Sequence, residues 1–485
     1  MIIQGLVSKM EKKKIVIDPV TRIEGHAKIT IDLNEQGAVD DAKIHVTQYR
    51  GFEKMCEGRP YSEMPALTAR TCGICPVSHA ISSTKACDNL MAVRPPKGGR
   101  NLRRIINLAQ IVQSHALNFY HLSSPDFVYG FDAAKEDRNI FKLMQTHPDM
   151  AKDGIKLRAF GQKIIEELGG KRIHPTWIVP GGVSHTITNE QKQNILSQLP
   201  EAMEIAQKTL KYFTDNLHRF QKEIDTFASF PSLFMSIVNK KGKLEHYDGF
   251  LKFIDANGNV LEEGIDPRFY KDYIGEAVEK DSYLKSPYYK PLGYPEGMYR
   301  VGPLARLNVA DSCGTHFADK EFERFKNLNS GKPVLNSFYY HYARIIEIIY
   351  GIERIEELLN EDETMSQNVR AHADINRNQG VGCSEAPRGT LFHDYSVTND
   401  GIITGVNLII ATGNNNLAMN AGIKQVAKEF VDGSNITDGA LNRVEAVIRC
   451  FDPCLSCSTH AMGIVSSKVE IRDHNKQTIE MISRT

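Results

Sequence analysis

Alternating apolar and polar positions dominate the start of the chain. The alternation is clear in three segments, KIVIDPV (14–20), HAKITIDLN (26–34) and DAKIHVTQY (41–49). This pattern predicts β-strands, and the turn-forming residues NEQGAVDD between the second and third segments favour antiparallel pairing. Further along, Asn257-Gly258 predicts a hairpin turn, and residues 401–412 predict one more strand.

From about residue 76 the apolar residues recur at helical spacing. The longest such runs are residues 101–122, ending before SSPD, residues 189–227, continuous or broken near Pro200, and residues 344–359. In the last run the isoleucines fall on one stripe, as in a helix buried on one face. We therefore predict a mainly helical α+β protein, with a central bundle of long helices and antiparallel strands at the N-terminus.

The composition is that of an ordinary folded protein and argues against two classes of partner. Of 485 residues, 41% are hydrophobic and 24% are charged, and 59 basic residues balance 59 acidic ones. Since no basic stripe is present, neither nucleic acid nor an anionic membrane surface is an expected partner. No apolar run approaches the length of a membrane span, so we expect no direct membrane insertion.

Four of the nine cysteines form two Cys-x-x-Cys pairs near opposite ends of the chain. Cys72 and Cys75 lie in RTCGICPVSHA, and Cys454 and Cys457 lie in DPCLSCSTH. Thiolates bind soft or borderline metals such as zinc, iron, copper(I) or nickel. If both pairs bind one metal centre, the two ends of the chain must pack together, which favours a single unit over the several domains that the length allows.

Three other interpretations of these cysteines compete with a shared metal centre. A structural zinc site fits four cysteines, but its pairs usually lie close together in the sequence. The pairs could also be two unrelated turns, or a thiol–disulfide centre, which requires a βαβ unit that neither pair has. Spacing alone predicts a four-thiolate site without naming the metal. Pro76 suits the first turn of a helix, which would bring His79 within reach of the Cys75 sulfur.

The chain resembles the large, catalytic subunit of the nickel-iron hydrogenases in a series of motifs that follow that family's order. They are DPVTRIEGHAKI (18–29), RGFEKMCEGRP (50–60), RTCGICPVSHA (70–80), SHALNFYHLSSPD (114–126), EAPRGTL (385–391) and DPCLSCSTH (452–460). GYPEGMYRVGPLARLNVAD and the DPCLSCSTHA ending resemble the cytoplasmic, cofactor-coupled branch, which is linked to NAD, to the deazaflavin F420 or to heterodisulfide reductase. The resemblance implies the catalytic subunit of a cytoplasmic hydrogenase that cleaves H2 reversibly.

The resemblance also implies the ligands of the metal centre. Cys72 and Cys454 would be terminal ligands of nickel. Cys75 and Cys457 would bridge nickel to an iron that also carries carbon monoxide and cyanide. Unlike a saturated structural zinc, such a pair of metals leaves a position open for a substrate.

Several polar residues receive roles from the same resemblance. Glu24 would relay a proton accepted from the Cys454 thiol. Arg388 would lie over the open face of the centre, held by Asp126 and Asp452. The remaining implied neighbours are His79 beside Cys75, Thr412 bonded to a cyanide, and Glu53 with His460 at a magnesium or similar ion.

This set of residues suits the heterolytic cleavage of H2. Because H2 is a very weak acid, its cleavage needs a metal that takes the hydride and a base that takes the proton. The pKa of the Arg388 guanidinium is too high for this residue to act as an ordinary general base, which favours an electrostatic and positioning role. The electrons need iron-sulfur clusters, which we expect in a small partner subunit, with further electron-transfer subunits coupled to NAD, F420 or heterodisulfide reductase.

Structural alternatives exist for each of these roles. Glu24 could be a surface carboxylate at a turn, and Arg388 a solvated loop residue. Asp126 and Asp452 could simply cap turns, and Thr412 could be a threonine at the end of a strand. For the whole protein, a relative that has lost hydrogen turnover and a non-catalytic metal-binding scaffold remain as alternative functions.

A tail follows His460, and in the family such a tail is removed by a dedicated maturation protease once nickel is inserted. The resemblance therefore implies cleavage between His460 and Ala461. We predict that residues 1–460 form one large-subunit unit and that residues 461–485 are an extension removed on maturation. The alternation in SKVEIRDHNKQTIEMI leaves a permanent terminal hairpin as the alternative.

Overall fold

The computed structural model describes residues 14–459, 467–472 and 478–484. The strands in these ranges form small sheets whose pairing is antiparallel apart from one short parallel contact. The N-terminal sheet contains β1 (Lys14–Ile17), β2 (Ala27–Leu33) and β3 (Val39–Val46). The other sheets are the pair β4 (Ile178–Val179) and β5 (Gly182–Val183), the four strands β6 (Leu233–Val238), β7 (Phe250–Ile254), β8 (Val260–Ile265) and β11 (Tyr299–Arg300), the pair β9 (Ile274–Ala277) and β10 (Ser286–Tyr289), the three strands β12 (Gln379–Ala386), β13 (Gly389–Val397) and β14 (Ile403–Ile409), and the pair β15 (Ser467–Arg472) and β16 (Thr478–Arg484).

The helices are more extensive than the strands, as predicted. They are α1 (Phe52–Cys56), α2 (Met64–Ala69), α3 (Pro76–Met91), α4 (Lys97–Leu117), α5 (Ser124–Tyr129), α6 (Ile140–Thr146), α7 (Pro148–Gly169), α8 (Asn189–Leu196), α9 (Leu199–Asn216), α10 (Gln221–Thr226), α11 (Tyr270–Tyr273), α12 (Pro303–Val309), α13 (His316–Asn327), α14 (Tyr340–Leu359), α15 (Ala411–Asn414), α16 (Asn416–Phe430), α17 (Asp438–Phe451) and α18 (Leu455–Ser458). Shorter turns are a π-helical segment, Asn118–Ser123, and the 3₁₀ segments Tyr61–Glu63, Leu217–Phe220, Pro267–Phe269, Lys290–Leu292, Ser337–Tyr339 and Asp362–Met365.

The long helices α4, α7, α9 and α14 form the central bundle, which confirms the predicted mainly helical architecture. Helix α4 packs against both α7 and α14, and α14 also packs against α9. Gly161 lets α7 approach α4 closely, because a Cβ atom there would lie 2.5 Å from the carbonyl oxygen of Ala109. The hydrophobic core that includes this bundle contains buried residues from Val20 to Leu455.

Two predicted helices differ from the observed ones in their bounds. The helix predicted over 101–122 does not stop before SSPD. It passes through the π-helical segment into α5. Pro125 is tolerated in the first turn of α5, because a backbone N–H at that position would have no acceptor within the helix. The run 189–227 is divided into α8, α9 and shorter helices, with Pro200 in the first turn of α9.

Helix α14 is buried on more sides than its isoleucine stripe predicts. Arg344 and Glu347 are both fully buried on it. Glu347 is ion-paired with Arg306 at 2.5 Å, and its Oε2 is hydrogen-bonded to His115 Nε2 at 2.8 Å. Charged residues enter this interior because each has a charged or hydrogen-bonding partner there.

The predicted strands are found in the structure. β1, β2 and β3 pair in antiparallel register, β7 and β8 form the hairpin around Asn257-Gly258, and β14 occupies most of the last predicted segment. Within the described residues, no helix combines the length and apolar character needed to cross a membrane.

The terminal segment contains the antiparallel pair β15–β16, as the alternation of its sequence indicates. His460 and Ala461, which flank the predicted cleavage position, lie outside the described residues. The division into 1–460 and a removable 461–485 therefore stays a prediction.

A close contact between α3 and β12 determines where the chemistry of the site is placed. A Cβ atom on Gly382 would lie 1.9 Å from the Ser82 carbonyl oxygen, and one on Gly380 would lie 2.4 Å from that of Ala86. The strand backbone therefore rests directly on the helix. Since α3 follows Cys75 directly and β12 leads into the turn that carries Arg388, this contact sets the position of one relative to the other.

Replacing Gly382 with alanine should separate the strand from the helix. Because a backbone carbonyl cannot move aside as a side chain can, we expect Gly382→Ala to lower the free energy of unfolding by about 1–3 kcal/mol or more and to reduce metal incorporation. Thermal unfolding and metal analysis measure both effects. Gly405→Ala in β14 is the matched control, since its nearest neighbour is the Ser396 Cβ atom at 3.7 Å. Equal stability of the two variants would contradict the importance of this contact.

Candidate metal centre

The two Cys-x-x-Cys pairs meet in the folded chain. The Sγ atoms of Cys72, Cys75, Cys454 and Cys457 all lie within 4.8 Å of one another. The Cys72–Cys454, Cys75–Cys457 and Cys454–Cys457 sulfur distances are 3.2, 3.6 and 2.9 Å. All four are buried free thiols. They therefore form one cluster rather than two unrelated turns.

The first cysteine loop is attached to the helical bundle. The backbone N–H groups of Ile74 and Cys75 donate to the Cys72 sulfur at 3.2 and 3.4 Å. Gln110 and Gln113 of α4 both donate to the Ile74 carbonyl oxygen, at 2.7 and 2.8 Å. Helix α3 then begins at Pro76, as predicted. The position of Cys72 and Cys75 is thus set by α3 and α4 together.

The second cysteine loop is attached to the N-terminal segment. Glu24 and Cys454 form a parallel backbone bridge, and Leu455 N–H donates to the Glu24 carbonyl oxygen at 3.1 Å. Glycine is required at position 25, because φ is +85° there and a Cβ atom would lie 2.7 Å from that of Leu455. The Glu-Gly dipeptide of the RIEGH motif therefore positions the loop that carries the second pair.

The electrostatics of the cluster suit a bound cation. Burial raises the pKa of the Cys454 and Cys457 thiols, whereas hydrogen bonds from Cys454 and Cys457 lower the pKa of Cys75. Four thiolates this close together repel one another strongly in a buried site. A soft metal ion offsets that repulsion and matches the sulfur donors. The four cysteines therefore fit a thiolate-bound metal.

A buried cavity adjoins three of the four sulfurs. Its lining consists of Cys75, Cys454, Cys457, Ser78, His79, Ala386, Pro387, Arg388, Leu391, Ile410, Ala411 and Thr412. A structural zinc site is normally enclosed by its protein ligands. Here one side of the cluster instead faces a small space with apolar walls and a few polar groups, so the protein does not close off the sulfurs completely on that side.

Arg388 lies at this cavity and is held by two neighbours. Its Nε donates to the Asp452 carbonyl oxygen at 2.6 Å, and its Nη2 lies 3.1 Å from Asp452 Oδ2 without hydrogen-bond alignment. Its Nη1 donates to Ser114 Oγ at 3.3 Å. Burial lowers the pKa of Arg388, but Asp452 and the cysteine cluster raise it well above its usual value. The guanidinium is therefore a fixed cation, as its predicted electrostatic role requires.

Asp126 does not hold Arg388, which corrects the expectation for this residue. Its Oδ1 accepts from Arg22 at 2.7 Å and its Oδ2 accepts from Arg449 at 2.6 Å. Asp126 lies in the first turn of α5, beyond the π-helical segment, and these two arginines engage both of its carboxylate oxygens. Its predicted place beside Arg388 is taken by Ser114, the first residue of the same SHALNFYHLSSPD motif.

A second arginine fixes the turn that carries Arg388. Arg306 of α12 donates to the carbonyl oxygens of Ala386 and Pro387 at 3.0 and 3.3 Å. The same guanidinium is ion-paired with Glu347 and Glu385, and all of these charged groups are fully buried. Arg306 gives no local sequence signal, because its partners come from distant parts of the chain.

Glu24 lies between the cluster and the protein surface. Its side chain is half-buried, and its Oε2 accepts from the backbone N–H of Ser456 at 3.1 Å. The carboxylate therefore contacts the loop that holds Cys454 and Cys457. Glu24 is therefore more than a solvated surface residue, and its relay role stays a prediction.

Thr412 and His79 also adjoin the cluster. Thr412 Oγ1 accepts from the Cys454 N–H at 2.9 Å, so its hydroxyl hydrogen is available to a group in the cavity. His79 hydrogen-bonds to Cys75, and its Nδ1 lies 3.2 Å from Nε2 of His393. His393 Nδ1 in turn lies 2.6 Å from the Tyr395 hydroxyl. His393 therefore lies between His79 and Tyr395 and orients His79.

The proposed magnesium ligands are only partly described. Glu53 lies on α1, and its Oε1 accepts from the backbone N–H of Leu408 at 2.8 Å. His460 lies outside the described residues. A divalent ion between these two residues stays a prediction.

The fold and the site define a metalloprotein with a four-cysteine centre beside a buried, arginine-capped cavity. A family model described as nickel-dependent hydrogenase matches residues 50–154 and 236–460. A second model, described as HoxL-like, matches residues 14–49. The chain belongs to the nickel-dependent hydrogenase family and is an oxidoreductase that acts on H2.

Individual relatives agree over nearly the whole chain. The NAD-reducing hydrogenase HoxS subunit beta of Cupriavidus necator is 37% identical over 97% of this chain and 100% of its own length. One of the subunits of the vhc F420-non-reducing hydrogenase of Methanococcus voltae is 39% identical, with coverages of 93% and 95%. The crystal structure of an NAD+-reducing nickel-iron hydrogenase in the H2-reduced state aligns with a TM-score of 0.90 at 40% identity, covering 92% of this chain and 99% of that one. The predicted fold class and cofactor-coupled branch are thereby confirmed.

Replacing one clustered cysteine should prevent assembly of the centre. Serine offers a hard hydroxyl in place of a soft thiolate, so we expect Cys457→Ser to fold but to lose nickel and iron, as measured by elemental analysis after anaerobic purification. Cys450→Ser is the matched control, since Cys450 is equally buried but lies outside the cluster. Full metal content in Cys457→Ser would rule out Cys457 as a ligand.

Proposed function

We propose that this chain is the subunit in which H2 is cleaved reversibly at a nickel-iron centre bound by the four cysteines. In this proposal Cys72 and Cys454 would bind nickel, and Cys75 and Cys457 would bind both nickel and iron. The observation that carries it is the sulfur cluster, with one side facing a buried cavity that Arg388 covers. Such a covered cavity is not required for an enclosed structural site or for metal storage. It is equally unnecessary in a relative that has lost hydrogen turnover.

The cavity suits an iron that carries carbon monoxide and cyanide. Ala386, Pro387 and Leu391 give it apolar walls, which a carbonyl ligand tolerates. Cyanide is a hydrogen-bond acceptor, and in this proposal the Thr412 hydroxyl, whose oxygen accepts from the Cys454 N–H, would donate its hydrogen to it. When bound, the metal pair supplies the electron-pair acceptor that heterolytic cleavage of H2 requires.

The protein supplies the path of the proton. Cys454 is the proposed first acceptor, since a thiolate can take a proton as H2 is split. Glu24 is the proposed second acceptor, because its carboxylate contacts the loop of Cys454 and its half-buried side chain leads toward solvent. A positioned carboxylate of this kind speeds proton transfer by about 100- to 10,000-fold.

Arg388 is proposed to act by electrostatics and positioning. Its guanidinium is anchored through Asp452 and Ser114, and Arg306 fixes the turn beneath it. A fixed cation beside the cavity stabilises negative charge as it develops and needs no reorganisation during the reaction. Because the pKa of Arg388 is raised, the residue keeps this charge throughout.

The electrons must leave through a partner. Within the described residues, the four clustered cysteines are the group of His, Cys, Asp and Glu side chains able to hold a metal ion, and the other five cysteines are buried apart from it. We therefore propose a small subunit with iron-sulfur clusters, followed by NAD-, F420- or heterodisulfide-reductase-linked subunits in the cytoplasm. Support comes from relatives named as subunits of NAD-reducing and F420-non-reducing hydrogenases.

Two further parts of the proposal concern the C-terminal end. Glu53 and His460 would bind magnesium or a similar ion, which would tie the C-terminus to α1. A maturation protease would cleave between His460 and Ala461 after nickel is inserted.

Removing the charge of Glu24 should leave the assembly of the metal centre unchanged but slow the turnover of H2. Glu24→Gln keeps an oxygen that can accept from Ser456, so the metal content should stay normal. Exchange between D2 and water should slow by about 100-fold or more, because the amide cannot take up a proton. Glu445→Gln is the matched control, since Glu445 is also half-buried and accepts from Thr21 of the same segment. Normal exchange in Glu24→Gln with a full metal content would exclude the relay role.

Exchanging Arg388 for lysine should test whether charge alone suffices. Lysine keeps the charge but cannot contact Asp452 and Ser114 with the planar fork of the guanidinium. We expect normal metal content and a loss of H2 oxidation of about 100-fold, measured by reduction of an artificial electron acceptor. Arg219→Lys on the protein surface is the control. Unchanged activity in Arg388→Lys would show that the positive charge is sufficient for H2 oxidation and that the contacts with Asp452 and Ser114 are not needed.

A further inference from the structure

A cleft away from the metal centre has the size of a small-molecule site. It encloses about 600 Å³ at the C-terminal half of α3, the start of α4 and the loop after β6. Ligand pockets for small molecules and cofactors usually range from about 300 to 1,000 Å³. The roles argued above for Glu24, Arg388 and the cysteine cluster leave this cleft unused.

The walls of the cleft are rich in basic side chains. They include the basic residues Lys85, Arg94, Arg100, Arg104, Lys240, Lys241 and Arg268, and the acidic residues Asp88, Glu245, Asp248 and Asp266. This excess contrasts with the balanced charge of the whole chain. Positive charge is therefore concentrated at this cleft.

The acidic residues of the cleft already have partners. Asp88 is ion-paired with the buried Arg103 at 2.6 Å. Asp248 lies 3.1 Å from Lys85 and 3.5 Å from Arg104, and Arg104 also lies 3.6 Å from Glu245. The fourth, Asp266, is ion-paired with Arg268. These carboxylates consequently neutralise one subset of the basic residues.

The other basic residues of the cleft differ in this respect. In the part of the chain that the structure describes, none of Arg94, Arg100, Lys240 and Lys241 forms an ion pair with a carboxylate. Arg100 is half-buried, and its Nε donates to the Pro95 carbonyl oxygen at 3.1 Å. Burial and the nearby Arg94 lower the pKa of Arg100. Four cations gathered around one cleft without an ion-paired carboxylate favour a multiply charged anion.

Apolar groups in the same cleft narrow the class of ligand. Val93 and Phe250 are both half-buried and line it beside the basic residues. A bare inorganic anion would gain nothing from contact with this apolar surface. A nucleotide presents both phosphates for the basic residues and an aromatic base for the apolar ones.

We propose that this cleft binds a phosphate-bearing small molecule of the nucleotide class. Its phosphates contact Arg94, Arg100, Lys240 and Lys241, and its base lies against Val93 and Phe250. The site is separate from the metal centre but shares two elements with it. Helix α3 runs from Cys75 and His79 to Lys85 and Asp88, and β12 runs from Val381 and Cys383 in the cleft toward Arg388.

Titration calorimetry on the purified enzyme complex tests the proposal, with ATP, pyrophosphate and orthophosphate as probes. We expect one ATP to bind per copy of this chain, and the affinity to fall at least tenfold in Lys240→Gln/Lys241→Gln and in Arg100→Gln. The double variant guards against misfolding of Arg100→Gln, because Lys240 and Lys241 are exposed. Lys152→Gln/Lys171→Gln removes two exposed charges elsewhere and should bind ATP as the unaltered complex does.

The probes distinguish the sources of phosphate. Tighter binding of ATP than of pyrophosphate supports a nucleotide, and equal binding of the two supports the phosphate site but removes the base contact. Absence of binding by both, or binding that is unchanged in Lys240→Gln/Lys241→Gln and Arg100→Gln, overturns the proposal. Crosslinking of Lys240 to a carboxylate of another protein in the complex, together with absent binding, would assign the cleft to an acidic partner segment instead.

Discussion

The rest of the structure depends on the convergence of four buried sulfurs from opposite ends of the chain. The sulfurs of Cys72 and Cys454 lie 3.2 Å apart, a separation that is unfavourable for charged thiolates without a cation. The fold holds them there through backbone contacts, with Gln110 and Gln113 fixing one loop and the Glu24–Cys454 bridge fixing the other. Metal binding then offsets the repulsion that folding alone leaves.

The groups around the centre are held by buried polar contacts rather than by local sequence. Arg388 is anchored to Asp452 and Ser114, while Arg306 fixes the turn from below through Ala386 and Pro387. These contacts join segments that are far apart in the sequence. Such rigid placement keeps a charged side chain in a fixed geometry beside a buried cavity, which is what electrostatic catalysis requires.

Sequence patterns predict the elements and the cysteine cluster better than the contacts between elements. Alternation predicts β1, β2 and β3, and the Cys-x-x-Cys pairs predict the cluster, because both signals are local. The prediction that Asp126 holds Arg388 is wrong, since Arg22 and Arg449 engage both of its carboxylate oxygens and Ser114 contacts Arg388 instead. Buried ion pairs such as that of Arg306 with Glu347 have no period or spacing in the sequence and emerge only from packing.

The central claim is that the four cysteines bind nickel together with an iron that carries carbon monoxide and cyanide. Metal analysis and an infrared spectrum of the complex, purified without oxygen, test it most directly. The account predicts stoichiometric nickel and sharp absorption bands from iron-bound carbon monoxide and cyanide. Zinc in place of nickel, or fully processed protein without those bands, would contradict it.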